Sequence, residues 1–168
     1  MAKDERTETV KTGKLMQIVV FKLGNEEYGM QIDHIKEVVI TPNITRMPQS
    51  SAYIRGVANV RGNVIAILDL EERFNLERMI IEKGGRYTLV VESEEMRMGL
   101  LVSDVPNTIT VNAEEVDTNV GIVGDGSTDS NYIKGIVKSG NRLIILVDIF
   151  KVVDHDALAS MRKAHIAA

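Results

Sequence analysis

Apolar residues along this chain fall in short runs rich in valine, isoleucine and leucine, with glycine, asparagine or aspartate between the runs. Strands joined by tight turns have this signature. The pattern predicts strands over Leu15–Lys22, Glu27–Ile32, Gly56–Val60, Asn63–Leu68, Tyr87–Val91, Arg97–Val102, Asn107–Val111, Gly135–Lys138 and Arg142–Val147. Leu23-Gly24-Asn25-Glu26, Arg61-Gly62-Asn63 and Ser139-Gly140-Asn141 supply hairpin turns, because Gly and Asn accept positive φ. Thr108 to Asn112 alternates like a half-exposed strand, whereas Leu143 to Val147 is apolar at every position and predicts a strand covered on both faces. Helical signals are confined to a segment near Leu70–Phe74, another after Asp148, and a terminal stretch capped by Asp154 with Ala157, Leu158 and Met161 in one stripe.

The chain also repeats itself. Tyr53-Ile54-Arg55-Gly56-Val57 aligns with Tyr132-Ile133-Lys134-Gly135-Ile136, and the same shift brings Ile65 onto Ile144 and Asp69 onto Asp148 (132 − 53 = 148 − 69 = 79). A weaker correspondence sets Gly29 against Gly99 and Ile35 against Val105 (99 − 29 = 70). Each half would hold about five short strands, too few to bury a robust core alone, so two small barrels packed together are the expected architecture. The expected division is a flexible tail over 1–14, two lobes over 15–83 and 84–155 with room for strand exchange at the ends, and a C-terminal helix or tail over 156–168. Gly56, Gly62 and Gly135 read as turn-forming positions, and Asp69 and Asp148, which end equivalent strands, as caps of the helical turns that follow.

Composition narrows the function. The net charge is −4 and aromatic residues make up only 4%, whereas a single-stranded nucleic-acid-binding β-barrel, the alternative class, uses a basic face and stacking rings. No cysteine is present, which removes disulfides and thiolate chemistry and suits the cytoplasm. Residues 1–14 lack an apolar signal core, and no run approaches the roughly 20 apolar residues of a membrane span. His34, His155 and His165 have no metal-ligand spacing, no Gly-x-Ser-x-Gly elbow occurs, and the glycines at 121, 124 and 126 do not match a phosphate loop. The doublets Glu71-Glu72, Glu94-Glu95 and Glu114-Glu115 read as solvated surface. An Asp69/Asp148 hydrolase is the weakest reading; no catalytic, cofactor or metal residue is expected.

Three blocks carry a family likeness: Phe21 to Met30 (FKLGNEEYGM) followed by Ile35 to Val39 (IKEVV), Tyr53 to Ile65 (YIRGVANVRGNVI) running through Leu68-Asp69-Leu70, and Tyr132 to Ile136 (YIKGI) running through Leu146 to Ile149 (LVDI). In order and spacing they resemble the CheW domain of bacterial chemotaxis adaptors. The resemblance covers about residues 14 to 155, with Asn59-Val60-Arg61-Gly62 as its most specific part. It implies a mostly β protein of two SH3-like five-stranded β-barrels, without catalysis, bridging methyl-accepting chemoreceptor tips to the regulatory domain of the histidine kinase CheA. It further implies a cytoplasmic protein recruited to receptor arrays, with no nucleic-acid partner and no membrane insertion. The family's receptor groove between the barrels maps onto Ile35, Glu37 and Arg61, with Gly99 near the same seam. Arg61 has a second reading, an internal ion pair that holds the barrels together. Pro106-Asn107-Thr108 departs from the family's apolar residue after the Gly99 strand.

Overall fold

Eleven strands build two sheets in the computed structural model, which describes residues 14–48, 50–79, 84–118 and 132–153. The strands are β1 (Leu15–Leu23), β2 (Glu26–Gln31), β3 (Ile35–Ile40), β4 (Ile54–Val60), β5 (Asn63–Leu68), β6 (Tyr87–Glu92), β7 (Arg97–Val102), β8 (Asn107–Asn112), β9 (Val116–Asp117), β10 (Ile133–Ser139) and β11 (Arg142–Val147). One helical turn, α1 (Leu70–Arg73), follows β5, and short 3-10 turns occupy Ile32–His34, Ala113–Glu115 and Ile149–Lys151. The architecture is mostly β, two sheets packed together. The helix expected after Asp154 and the loop from Gly121 to Ser130 lie outside the described residues.

Lobe A has strand order β8-β1-β2-β11-β10-β9, and lobe B has β3-β6-β7-β5-β4. Both curl on themselves. In lobe B the chain leaves β3 at one edge, and Thr45 then bridges Val57 of β4 at the other edge through a reciprocal pair of 2.8 Å backbone hydrogen bonds. In lobe A, β8 pairs with β1 at one edge, and after the turn at Ala113–Glu115 β9 pairs with β10 at the other. A segment that serves both edges leaves little open strand for unwanted pairing.

The two repeat shifts meet in one geometric fact. β2 and β11 pair in parallel with Gly29 opposite Leu146, and β5 and β7 pair in parallel with Ile67 opposite Gly99. Ile67 moves onto Leu146 by 79 residues and Gly29 onto Gly99 by 70, so each lobe joins a hairpin from one half to strands from the other. Lobe B is therefore continuous in sequence from β3 to β7 and sits between the two parts of lobe A, and residues 83 and 84 fall between β5 and β6 of lobe B.

Strand β1 shows how the core divides. Ile18 and Val20 point into lobe A and cluster with Val111, Val137, Ile144 and Leu146. Phe21 and Leu23, on the opposite face by the period of two, join Tyr28, Met30, Val147, Ile149 and the interior of lobe B in one continuous cluster. That cluster is the seam between the lobes. The uniformly apolar Leu143 to Val147 does not stay covered throughout: Leu143, beside the β10–β11 turn, is 59% exposed, because the neighbouring lobe reaches only the later residues of the strand.

Arg142 spans the β2–β11 junction and donates to both oxygens of Glu27 at 3.0 and 2.9 Å. These hydrogen bonds hold the Glu27 carboxyl below its ordinary value of 4.5 and raise that of Arg142. A depressed folded-state value means stabilisation that is present above about pH 4.5 and lost as pH falls through the lowered value. Because the pair is partly exposed, its worth is under about 1 kcal/mol. Arg142→Met is expected to be slightly less stable than the parent at pH 7, with the gap closing at pH 3. Urea titrations at both pH values check this, and a gap independent of pH would remove the ion pair from the account.

Candidate functional site

Strand β3 begins with a bulge. Ile35 pairs with Val91 and Glu37 with Val90, so Lys36 is the extra residue and the normal alternation is broken between them. Val90 and Val91 point to opposite faces, and so, in consequence, do Ile35 and Glu37. Glu37 lies on the face shared with Val90 and Gly99, and Ile35 on the opposite face, where it is half-buried against the core cluster. Arg61, at φ +51 in the β4–β5 turn, donates from Nε to Glu37 Oε1 at 2.7 Å. Asn59 Oδ1 accepts the Gly62 N–H at 2.8 Å and braces the same turn.

The curl of lobe B thus unites Glu37 and Arg61, which belong to strands at opposite edges of the sheet. The ion pair is internal to lobe B and does not tie the lobes together. The Arg61 side chain remains 72% exposed while the Glu37 side chain is 19% exposed, so the fork keeps donors to offer a partner beyond the one given to Glu37. Gly99 is buried in the middle of lobe B, where a Cβ would lie 2.6 Å from Thr88 Cγ2 and 2.8 Å from Ile67 Cδ1. Its part is to let strands and side chains approach, not to present a surface.

Several large apolar residues, which periodicity alone does not single out, are exposed. Val38 and Ile40 lie on the Ile35 face of β3, beside the buried Leu89 and the half-buried Tyr87 of β6, and Ile40 is 79% exposed. Leu15 lies on the face of β1 that carries Phe21 and Leu23 into the seam and is 72% exposed. Val105, between β7 and β8 where the chain returns to lobe A, is 59% exposed. Both lobes thus leave large apolar side chains in water. Such side chains are held in water only at a cost of about 25 cal/mol per Å2, a cost that a docked partner removes.

The repeated aspartates cap. Asp69 Oδ1 accepts from Glu72 N at 3.2 Å, and Asp148 Oδ1 accepts from Phe150 N at 3.1 Å. Their own N–H groups donate to Tyr53 O and Tyr132 O, each at 2.7 Å, the same bond at a spacing of 79 residues. Gly56 and Gly135 occupy matching bulges on β4 and β10. Of the acidic doublets, Glu71 is the exception to a solvated reading: it is buried and accepts the Gly24 N–H at 2.7 Å, whereas Glu72, Glu94, Glu95, Glu114 and Glu115 are exposed. His34 meets the ring of Phe150 edge-on at 5.0 Å. Two open clefts of about 410 and 420 Å3, one lined by Arg46, Ser50, Ser51 and Arg55 and the other by Ile40, Thr41, Arg86 and Tyr87, bring no acid, base and nucleophile together. Among the described residues no group of three or more His, Cys, Asp or Glu could hold a metal, and no helix is long and apolar enough to cross a membrane.

Two curled lobes with scattered exposed apolar side chains and an exposed arginine fork are the chemistry of a docking protein. A family model, the CheW-like domain, matches residues 17–157, and the chain belongs to that family. It is 31% identical over 140 residues to the chemotaxis protein CheW of Treponema pallidum, covering 81% of each chain. It is 32% identical over 155 residues to CheW of Bacillus subtilis, covering 92% of this chain and 96% of the relative. Among solved structures, the scaffolding protein TtCheW of Thermoanaerobacter tengcongensis superimposes with a TM-score of 0.73 at 27% identity, covering 86% of this chain and 96% of that one.

Proposed function

We propose that this chain is a non-catalytic chemotaxis adaptor that couples methyl-accepting chemoreceptors to the histidine kinase CheA. The observation that carries the reading is the CheW-like match, which spans both lobes and the seam between them. A receptor tip, being helical, suits the groove between the two lobes, with Ile35, Val38 and Ile40 on its lobe B wall and the Arg61–Glu37 pair at its border. Gly99 contributes from beneath, by keeping lobe B closely packed. The regulatory domain of CheA would dock on a separate face by like-with-like packing of lobes, and the adaptor would act in the cytoplasm at receptor arrays.

Arg61→Glu tests the assignment. Two carboxylates would then face each other where an ion pair stands, and the fork offered to the receptor would be lost. Receptor binding is expected to weaken about tenfold or more, equivalent to about 1.4 kcal/mol. The thermal midpoint should hardly change, because exposed ion pairs contribute under about 1 kcal/mol. Both readouts come from one reconstituted kinase-activation assay with a melting curve. Normal activation by the variant would remove Arg61 from the receptor site. Failure of the parent protein to activate, together with salt-dependent retention on oligonucleotide resin, would favour a nucleic-acid-binding barrel instead.

A further inference from the structure

The seam holds an asymmetric device. Three residues of the single turn that begins at α1 reach out of lobe B into lobe A. Glu71 accepts the N–H of Gly24 in the β1–β2 turn. Phe74 stacks on Tyr132 at 4.8 Å and on Tyr28 at 5.5 Å between ring centroids, with interplanar angles of 15° and 24°. Arg73 lies between them in sequence. Its guanidinium carbon is 5.5 Å from the centre of the Tyr53 ring and 5.8 Å from that of Tyr132, and its Nε donates to the carbonyl of Val152 at 2.9 Å.

These partners are not arbitrary. Tyr53 and Tyr132 are equivalent under the 79-residue repeat, and so are Arg73 and Val152 (152 − 73 = 79). Arg73 therefore sits where the two halves face each other, between the matching tyrosines, and bonds to the backbone of its own counterpart. Val152 is apolar and fully buried, so no second cation returns the contact. One side chain does for both lobes what symmetry would assign to two.

We propose that Arg73, supported by Phe74, is a positioning residue that fixes the angle between the lobes and so sets the width of the groove a receptor tip enters. The apolar cluster alone is a poor goniometer, since burial is nondirectional. A planar guanidinium held over two rings and hydrogen-bonded in its own plane is directional. A partner that spans both lobes must match the angle, and a partner that docks on one lobe need not. The inference rests on the receptor reading above only for its functional readout.

The chain has no cysteine, so spin labels can be placed at will. Labels at Lys138→Cys on lobe A and Glu94→Cys on lobe B, both exposed and away from α1, report the distance between lobes. In the otherwise unaltered chain the distance distribution is expected to be narrow. Arg73→Ala should broaden it, weaken receptor-tip binding roughly fivefold to tenfold, and leave binding of the CheA regulatory domain within about twofold. Arg73→Lys, which keeps the cation but loses the planar fork, should fall between and secures the comparison if the alanine variant does not fold. An unchanged distance distribution in both variants overturns the positioning role. So does an equal loss of both partners. If the parent protein itself fails to bind a receptor tip, the receptor reading falls, while the distance measurement still decides what Arg73 does.

Discussion

Replacing Gly56 by alanine is expected to cost on the order of 4 kcal/mol or more and to leave little folded protein at physiological temperature. Gly56 has φ +146, a conformation an L side chain rarely adopts. A Cβ there would overlap the carbonyl oxygen of Thr45 and lie 2.7 Å from its carbon and 2.8 Å from Ile44 Cγ2. The obstacle is backbone, and that backbone makes the reciprocal hydrogen bonds with Val57 that close lobe B. Relief would require strained φ, worth about 1–3 kcal/mol, and loss of a closure whose hydrogen bonds contribute about 1 kcal/mol each. Two other glycines provide the controls, Gly135 being the counterpart of Gly56 under the repeat. Gly135→Ala meets Val116 Cγ1 at 2.7 Å and Asp117 O at 2.9 Å without a positive φ, and about 2 kcal/mol is expected. Gly62→Ala meets nothing at φ +88, and about 1 kcal/mol is expected. Urea unfolding of the three variants should rank them in that order; a Gly56→Ala variant no weaker than Gly62→Ala would show that Thr45 yields easily and that the bridge does not close the lobe.

Asp69→Ala is expected to cost about 3 kcal/mol, against about 1 kcal/mol for Asp148→Ala. Both aspartates cap a helical turn with one side-chain oxygen, so the capping loss is common to the two. Asp69 alone is completely buried and pairs with two arginines, Arg78 at 2.5 Å and Arg55 at 3.6 Å. Removing its carboxylate leaves Arg78, whose side chain is only 34% exposed, without its buried partner. The penalty stays short of a fully buried orphan charge because both arginines reach water and Arg78 keeps Glu72 at 3.0 Å. Denaturant midpoints of the two variants measure the difference, and equal losses would mean that the arginines contribute nothing beyond the cap.

The strands that the amino-acid pattern predicts are those with a clear apolar run or a clean alternation bounded by turn-forming or polar residues. Strand β3 escapes because the bulge at Lys36 places Lys and Glu side by side where alternation is sought, and β9 escapes because two residues carry no period. The repeat makes a two-lobed plan legible, but which strand crosses to which lobe is not, since identical hairpins suit either partner. At the site, Ile35, Glu37, Arg61 and Gly99 are visible only as matches to a family pattern. Their distribution over one exposed ion pair, one half-buried core contact and one buried position depends on curl and register, which a linear sequence does not display. The same holds for Glu71: adjacent carboxylates look alike in sequence, yet one meets a backbone N–H in the interior and the other meets water.

Nesting lobe B between the two parts of lobe A reverses the order in which the chain can take shape as it is made. Strands β3 to β7 are complete by residue 102, so lobe B can close while synthesis continues. The opening hairpin emerges first but settles last, because Leu146, opposite Gly29, is added 117 residues later (146 − 29 = 117). Until then the newborn chain carries a greasy ribbon with no home, and the finished inner lobe is the surface at hand to shelter it.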